Sequence, residues 1–174
     1  MFYGCKLDAP SVQNIALTLN KNTFNGNFDI GINTNIISNA QVKRDLGLIK
    51  YKGWNLYVNN SNSDTNYTLP KYAGCTTVEN VRAKNNNYIN NDIVSGKWGE
   101  HLPDLTNGNQ MFSDCDTINT FESDLSSLTR GDSMFYDCTN LKNIKTNLKS
   151  LTNGSDMFSG CYELTSFNID LSSL

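Results

Sequence analysis

The sequence predicts an α/β fold, a solenoid of stacked repeats with a parallel β-sheet on one face and helices or short turns on the other. Two observations support this prediction. Residues 102–174 repeat without a gap at one constant spacing, that of Met111, Met134 and Met157, and residues 6–58 alternate between helix-like and strand-like patterns. Because one repeat has too few apolar residues to close a core, such repeats bury them by stacking on their neighbours.

The charge and the apolar content of the chain argue against two kinds of partner. The formal net charge of -3 and the pI of about 5.0 provide no basic field, so nucleic acid is not expected to bind. A membrane-spanning helix needs a run of about 18 apolar residues. No such run occurs, so this segment is not expected to span a membrane.

The chain opens with MFYGC, and the same Met-Phe-x-x-Cys motif returns later in the sequence. It reads MFSDC at Met111, MFYDC at Met134 and MFSGC at Met157. The opening residues are therefore interpreted as the end of a repeat, and Met1 as an ordinary repeat residue. On this interpretation the chain is a fragment of a longer protein, in which adjacent repeats cover its two ends.

The stretch DAPSVQNIALTLN predicts the first helix. Asp8 can cap its N-terminus, and Pro10 suits the first turn. One face of this helix is apolar and comprises Val12, Ile15, Ala16 and Leu19. The next stretch, FDIGINTN, predicts a strand.

The stretch SNAQVKRDLGLIKYKG predicts a second helix. Ser38 and Gln41 form a capping box, and Gly53 stands at the C-terminal stop. Val42, Leu46 and Ile49 face inward. WNLYVNN then repeats the strand pattern, with Leu56 expected to correspond to Ile30. Residues 1–58 are therefore predicted to be the end of one repeat array with two helix-containing repeats.

Residues 59–101 are predicted to form a junction and a degenerate repeat with an insertion. NNSNSDTNYTL has the composition of a polar loop. YAGCTTVENV keeps the phase of the later repeats, and a further stretch, AKNNNYINNDIVSGKWG, separates it from Leu102.

Residues 102–174 contain three 23-residue repeats and the start of a fourth. Five sets of apolar residues recur at this spacing and are expected to stack as ladders: Leu102, Leu125, Leu148 and Leu171; Leu105, Leu128, Leu151 and Leu174; Phe112, Phe135 and Phe158; Ile118, Leu141 and Leu164; Phe121, Ile144 and Phe167. A glycine recurs as Gly108, Gly131 and Gly154, and each is predicted to occupy a tight turn with positive φ.

These repeats resemble the leucine-rich repeats of the BspA type, whose units have the same length. In that family a glycine, an Ala-Phe pair, a cysteine and a Leu-x-x-Ile pattern keep the spacing found here, with Met-Phe replacing Ala-Phe. The pattern Ile30-x-Ile32-x-x-Asn35 is similar to the L-x-L-x-x-N of leucine-rich repeats in general.

The resemblance implies a non-enzymatic recognition or adhesion module of a surface-exposed protein. Its partner would be a protein or a glycan on a host or neighbouring surface. Its location would be extracellular, on the cell surface or on a virion. The alternative is a structural subunit or spacer of a phage virion or appendage, because similar arrays occur in phage-encoded proteins.

The cysteines share one position of the repeat. Cys5, Cys115, Cys138 and Cys161 follow the Met-Phe motif, and Cys75 fits the same position. Neighbouring strands lie about 5 Å apart, a distance that allows disulfides between cysteines of adjacent repeats. Because the cysteine side chains would point in the same direction, packing as small buried groups is favoured instead. With one histidine and no C-x-x-C pair, no metal site is expected.

Catalytic motifs are not found, and we expect neither an enzyme nor a cofactor. His101, the single histidine, is predicted to lie on the surface. The chain has no G-x-S-x-G elbow and no P-loop. The tripeptide Arg130-Gly131-Asp132 matches a sequence used by integrin ligands. Because Gly131 is the repeat glycine, we interpret the match as the result of chance variation at the two positions beside it.

The candidate binding residues are those that flank the inward apolar residue of each predicted strand. Side chains alternate along a strand, so these neighbours point to the open face of the sheet. They are Thr120, Glu122, Asn143, Lys145, Ser166 and Asn168, together with Asn80 and Arg82 in the degenerate repeat. The loop around Trp98 is the second surface to consider.

Overall fold

The computed structural model describes residues 2–22, 26–59, 67–85 and 88–171. The chain divides into two compact units, an N-terminal unit, Met1–Pro70, and a C-terminal unit, Lys71–Leu174. The boundary falls within residues 59–101, the stretch predicted to be a junction, and the division into three segments stays a prediction. Most of the predicted polar loop, residues 60–66, lies outside the described residues.

The N-terminal unit alternates strands and helices along the chain. Its elements are β1 (Phe2–Leu7), α1 (Ala9–Thr18), β2 (Asn27–Ile32), a short 3-10 turn (Thr34–Ile36), α2 (Ala40–Tyr51) and β3 (Asn55–Val58). The three strands are parallel and lie in the order β1-β2-β3. This arrangement confirms the predicted alternation of helices and strands.

Helix α1 begins where its capping residues predict. The Asp8 carboxylate accepts a hydrogen bond from the Ser11 backbone N–H at 3.0 Å, and Pro10 lies in the first turn. Val12 and Ala16 are fully buried, whereas Ile15 is half-buried. The predicted helix and its apolar face are therefore confirmed.

Helix α2 begins one residue later than predicted. Its N-cap is Asn39 rather than Ser38, and the Asn39 side-chain carbonyl accepts from the N–H groups of Gln41 at 2.8 Å and Val42 at 3.3 Å. One amide therefore satisfies two N–H groups that the helix itself leaves unpaired. The buried face, which comprises Val42, Leu46 and Ile49, and the stop at Gly53, with φ of 89°, are as predicted.

The sheet register of this unit differs from the one that the strand pattern predicts. Phe28 lies opposite Leu56 and Ile30 opposite Val58, so the pairing is shifted by two positions from the expected match of Ile30 with Leu56. Beyond β3 the Asn59 side chain takes over the pairing. It accepts from the Ile32 N–H at 2.8 Å and donates to the Ile32 carbonyl at 3.1 Å. A side-chain amide thus continues the ladder after the strand has ended.

The opening motif does not fold like its counterparts. Residues 2–7 form strand β1, with Phe2 opposite Ile30, whereas residues 111–114 form a turn. The interpretation of MFYGC as a structural equivalent of the repeat motif is therefore wrong. In the repeats the motif is held in its turn by neighbouring repeats, as shown by the Phe112 N–H bonded to the Met134 carbonyl at 2.9 Å. At the N-terminus the same residue types pair with β2 instead.

In the C-terminal unit, successive repeats lie side by side in register. Strands β6 (Thr120–Asp124), β7 (Asn143–Asn147) and β8 (Ser166–Asp170) are parallel, and each residue faces its equivalent in the next repeat. A second line of parallel bridges joins Thr77, Asn107, Arg130 and Asn153. Each repeat is therefore hydrogen-bonded to the next along two lines.

The predicted apolar ladders form the core of this unit. Leu102, Leu125 and Leu148 are fully buried, and the recurring phenylalanines stack in parallel. The ring centroids are 5.4 Å apart between Phe112 and Phe135 and 5.5 Å apart between Phe135 and Phe158. Within the last repeat Phe167 is 48 % exposed, and Leu174 lies outside the described residues.

The recurring glycine has a different role from the predicted one. Gly108, Gly131 and Gly154 do not have positive φ. A Cβ at Gly131 would lie 3.0 Å from the Met157 methyl and 3.3 Å from a Leu128 methyl, so the glycine makes room for packed side chains. The left-handed positions lie elsewhere in the repeat, at Gln110, Ser133 and Asp156 and again at Asp114, Asp137 and Gly160.

The degenerate repeat and its insertion form the edge of the C-terminal unit. Cys75 N–H bonds to the Tyr72 carbonyl at 3.1 Å, as Cys115 does to Phe112, so the predicted phase is confirmed at this turn. The chain then forms helix α3 (Val78–Lys84), a 3-10 turn (Ile89–Asp92), and strands β4 (Ile93–Val94) and β5 (Lys97–Trp98).

Strand β5 completes the sheet on the side of the insertion. It runs parallel to β6, with Trp98 opposite Phe121, and β4 pairs with it in the antiparallel direction. The sheet order is β4-β5-β6-β7-β8, so one edge pair departs from the all-parallel sheet that the sequence predicts.

Candidate recognition surface

The outward residues of β6, β7 and β8 form two polar rows that cross the strands. One row is Thr120, Asn143 and Ser166, and the other is Glu122, Lys145 and Asn168. All six are exposed or half-buried. Between the rows, Phe121 and Ile144 are 0 % and 1 % exposed. The structure thus brings together six of the eight predicted site residues on one open face of the sheet.

Charges of opposite sign alternate across this face. Lys97, on β5, forms an ion pair with Glu122 on β6. Lys145 lies directly opposite Glu122 on β7. Cross-strand pairs of opposite charge stabilise a sheet by a few tenths of a kcal/mol up to about 1 kcal/mol. The same residues present a patterned charge to any partner that covers the face.

Two predicted site residues and one predicted surface lie elsewhere. Asn80 and Arg82 belong to helix α3 and not to a strand, so their placement on the open sheet face is wrong. The Thr77 side chain accepts from the Asn80 N–H at 3.4 Å and starts the helix. Trp98 is fully buried, because its ring stacks on Tyr72 and Phe121 within the core, so it offers no contact surface.

The cysteines are free thiols, and in the repeats they pack between neighbours as predicted. The Cys138 thiol donates to the Phe112 carbonyl at 3.0 Å, and Cys161 donates to the Phe135 carbonyl at 3.0 Å. Burial raises the pKa of the Cys138 thiol to about 12. Cys5 is the exception, since it lies exposed in β1 and does not share the repeat position.

His101 is buried, with 1 % of its surface exposed, so the prediction of a surface residue is wrong. Its Nδ1 accepts a hydrogen bond from the Asp124 N–H at 3.3 Å. The neighbouring Leu102 N–H donates to the Asp124 carbonyl at 3.2 Å. These bonds join the start of the first repeat to the end of β6, which gives the imidazole a role in packing.

The Arg130-Gly131-Asp132 tripeptide lies between the equivalent segments of the two neighbouring repeats. Arg130 Nη2 pairs with Asp132 Oδ2 at 3.1 Å, and Gly131 is buried. The Arg130 backbone is bridged on both sides, to Asn107 and to Asn153. With its two charged ends bound to each other, the tripeptide does not present a free cation and a free anion to a receptor.

A polar cluster lies behind helix α3. The Tyr72 hydroxyl donates to Asp92, and Lys71 Nζ binds Asp92 Oδ1 at 2.7 Å and Asn85 Oδ1 at 3.1 Å. Burial, followed by the hydrogen bond to Asp92, raises the pKa of Tyr72 above its usual value of 10.0. A neutral tyrosine and a paired carboxylate hold this edge of the unit together.

A cleft of about 530 Å³ opens where the insertion meets the first repeat, and the sequence did not reveal it. Of the residues that the structure describes, seven line it: Arg82, Tyr88, Ile89, Asn90, Gln110, Met111 and Ser113. They come from α3, from the insertion and from the turn of the first repeat, so no local pattern marks them. A smaller apolar cleft of about 250 Å³ in the N-terminal unit lies beside Phe2, Phe28 and Trp54.

Among the residues that the structure describes, no three His, Cys, Asp or Glu side chains are grouped so that they could hold a metal ion. In the same residues, no helix is long and apolar enough to cross a membrane.

Comparisons with known proteins agree with the geometry of the C-terminal unit. Residues 104–174 match a family model described as a BspA type leucine rich repeat region (6 copies). No curated protein and no solved structure matches the chain. The matched region contains β6, β7, β8 and the ladders between them. Residues 104–174 of this chain are therefore similar to the leucine-rich repeats of the BspA type.

Proposed function

We propose that the chain is a leucine-rich-repeat solenoid that recognises a partner macromolecule through the open face of its C-terminal sheet. The observation that carries the proposal is the contrast within β6 and β7. Thr120, Glu122, Asn143 and Lys145 reach solvent, while the residues between them are fully buried. Outward side chains can therefore vary to suit a partner without any change in the core.

The chemistry of the face suits a partner protein with mixed charge. Glu122 and Lys145 offer one charge of each sign, and Asn143, Ser166 and Asn168 offer hydrogen-bond donors and acceptors. No aromatic residue stands in either row, so binding depends on charge and hydrogen bonds more than on an apolar anchor. The proposed setting is a surface-exposed adhesion protein, outside the cell or on a virion.

The proposal is tested by photo-crosslinking from the face. Benzoylphenylalanine replaces Asn168 in one variant and Tyr162 in a control, because Tyr162 is 84 % exposed but lies outside the two rows. Both chains are incubated with cell-surface and extracellular-matrix extracts. We expect a crosslinked partner from position 168 only. Equal crosslinking from both positions would contradict the proposal.

A charge variant then measures the contribution of the face to affinity. Lys145→Glu reverses a charge within the rows, and Lys142→Glu makes the same change at an exposed residue just before β7. We expect Lys142→Glu to melt like the wild type, because exposed charges contribute little to stability. Lys145→Glu places a second carboxylate opposite Glu122 and should lower stability by at most about 1 kcal/mol, which leaves the chain folded. Only Lys145→Glu should change the affinity for the crosslinked partner and its salt dependence. If both variants bind with unchanged affinity, the open-face assignment is wrong.

A further inference from the structure

The cleft beside helix α3 has an apolar floor and a polar rim. Ile89 and Met111, at the floor, are 6 % and 4 % exposed. The rim residues Arg82, Tyr88, Asn90 and Gln110 are all exposed, and Ser113 is half-buried. A concave site with an apolar base and a few converging polar groups is the usual form of a small-ligand site.

One wall of the cleft is held in place by the repeat. Gln110 has φ of 56°, and its N–H is bonded to the Asp132 carbonyl of the next repeat at 3.0 Å. Asn90, on the opposite wall, accepts a weak bond from the Cys115 thiol at 3.5 Å. The Gln110 backbone and the Asn90 side chain are thus positioned before any ligand arrives, which lowers the cost of binding.

The rim groups match the chemistry of a sugar. Tyr88 is 68 % exposed, so its ring face is available to stack on the apolar C–H face of a pyranose. The amides of Asn90 and Gln110 each carry both donors and an acceptor, as adjacent sugar hydroxyls require. An extended peptide would need a free strand edge or an apolar groove, and the rim offers neither.

Among the described residues that line the cleft, Arg82 is the charged one. A carboxylate lies beside the lining, since Asp114 Oδ2 accepts from Ser113 Oγ at 2.9 Å. Glu79 lies one helical turn before Arg82, and its pKa is lowered first by hydrogen bonds at the helix start and only then by Arg82. Arg82 is exposed, so its guanidinium can make bidentate contact with a ligand carboxylate.

We propose that this cleft binds an acidic glycan, a short oligosaccharide that carries a carboxylate. The sugar ring stacks on Tyr88, its hydroxyls bind Asn90 and Gln110, and its carboxylate binds Arg82. The site is separate from the open sheet face, so the two proposals succeed or fail independently.

The test titrates the full chain with 3′-sialyllactose and with a hyaluronan tetrasaccharide, and follows amide shifts and saturation transfer by NMR. Lactose serves as the neutral control, and a hexaglutamate peptide as the acidic control without a sugar. We expect at least one of the two acidic sugars to bind at least tenfold more tightly than lactose, with shifts at Tyr88, Asn90 and Gln110. A charge-assisted hydrogen bond accounts for a factor of about ten or more.

Three variants assign the contacts. Arg82→Gln should reduce the affinity for the acidic sugar about tenfold and leave lactose unchanged. Tyr88→Ala should reduce binding of every sugar. Tyr162→Ala, which removes a similarly exposed ring outside the cleft, should change nothing. Thermal melting of all three should match the wild type, because the altered side chains are exposed.

Three outcomes would overturn the proposal. The first is that neither acidic sugar binds. The second is that lactose binds as tightly as both acidic sugars, since the carboxylate would then have no part in recognition. The third is that hexaglutamate binds more tightly than the sugars and loses affinity in Arg82→Gln, which would assign the cleft to acidic peptides.

Discussion

The N-terminal and C-terminal units both pair strands in parallel, but they bury their apolar residues in different ways. In the N-terminal unit, capped helices supply one side of the core, as Val42, Leu46 and Ile49 of α2 do. In the C-terminal unit, turns replace most helices, and equivalent residues of neighbouring repeats pack on each other, as Phe112, Phe135 and Phe158 do. The first unit therefore depends on local helix signals, and the second depends on contact between neighbours.

The difference explains why the two units follow different spacings. A residue in β6 faces its equivalent in β7, as Phe121 faces Ile144, because each turn is copied and each copy hydrogen-bonds to the next. In the N-terminal unit the paired residues, such as Ile30 and Val58, are further apart in the chain, since helix α2 lies between β2 and β3. Repetition of sequence thus produces repetition of register only where the intervening structure is also repeated.

The largest expected effect is at the centre of the phenylalanine ladder. Phe135 is fully buried and stacks between Phe112 and Phe158. Phe135→Ala should lower the free energy of unfolding by about 3–5 kcal/mol, because it removes a buried ring and leaves a cavity. Urea denaturation measures this loss. Tyr136→Ala, at the adjacent and 38 % exposed position, is the control, and a similar loss there would contradict dependence on the ladder.

A smaller loss of stability is expected when a cysteine packed between repeats is replaced. Cys138→Ala should cost about 1–2 kcal/mol, the scale of a small buried group. In the native chain iodoacetamide should modify exposed Cys5 quickly and Cys138 slowly, since burial holds the Cys138 pKa at about 12. Peptide mass spectrometry measures both rates. A peptide bridged between Cys115 and Cys138 would show that the packing assignment is wrong.

The same thiol makes stability depend on pH in a defined direction. The usual pKa of 9.0 applies when the chain is unfolded, and the pKa is higher in the folded state. Above pH 9.0 the unfolded state therefore loses the proton first, and the contribution of Cys138 to stability falls as pH rises further. The pH dependence of unfolding should be weaker at alkaline pH in Cys138→Ala than in the wild type.

The smallest expected effect separates the two candidate caps of α2. Asn39→Ala should lower stability by about 1 kcal/mol, because two N–H groups lose their partner. Ser38→Ala is the matched control and should change stability little, since Ser38 is exposed and is not the N-cap. Thermal unfolding followed by circular dichroism distinguishes them. If Ser38→Ala lowers stability more than Asn39→Ala does, Ser38 is the N-cap, as the sequence predicts.

Much of the candidate face could be predicted because its signal is a repeated contrast. Phe121 and Ile144 recur as apolar residues, while Glu122 and Lys145 beside them differ in charge, and strand alternation places the two kinds on opposite sides. Asn80 and Arg82 follow Cys75 at the same spacing as Thr120 and Glu122 follow Cys115, yet they lie on a helix. In that repeat Thr77 caps a helix and β5, from the insertion, takes the place beside β6.

The sequence by itself determined the period of the repeats, the apolar ladders and the position of the two long helices. These features follow from which side chains are apolar and how they are spaced, and each is repeated or reinforced by a cap. Short motifs carry less information. MFYGC and MFSDC share residue types, but Phe2–Cys5 lie in a strand that pairs with β2, whereas Met111–Asp114 lie in a turn that hydrogen-bonds to the next repeat.

The tertiary structure alone decided the features that depend on residues distant in the chain. The burial of His101 depends on Asp124, the role of Gly131 depends on Met157, and the cleft joins α3 to the turn of the first repeat. In each case the deciding contact comes from another repeat or from the insertion, so local propensity does not report it. The physical reason is that packing and burial are properties of neighbours in space, which a pattern along one chain specifies only where it repeats.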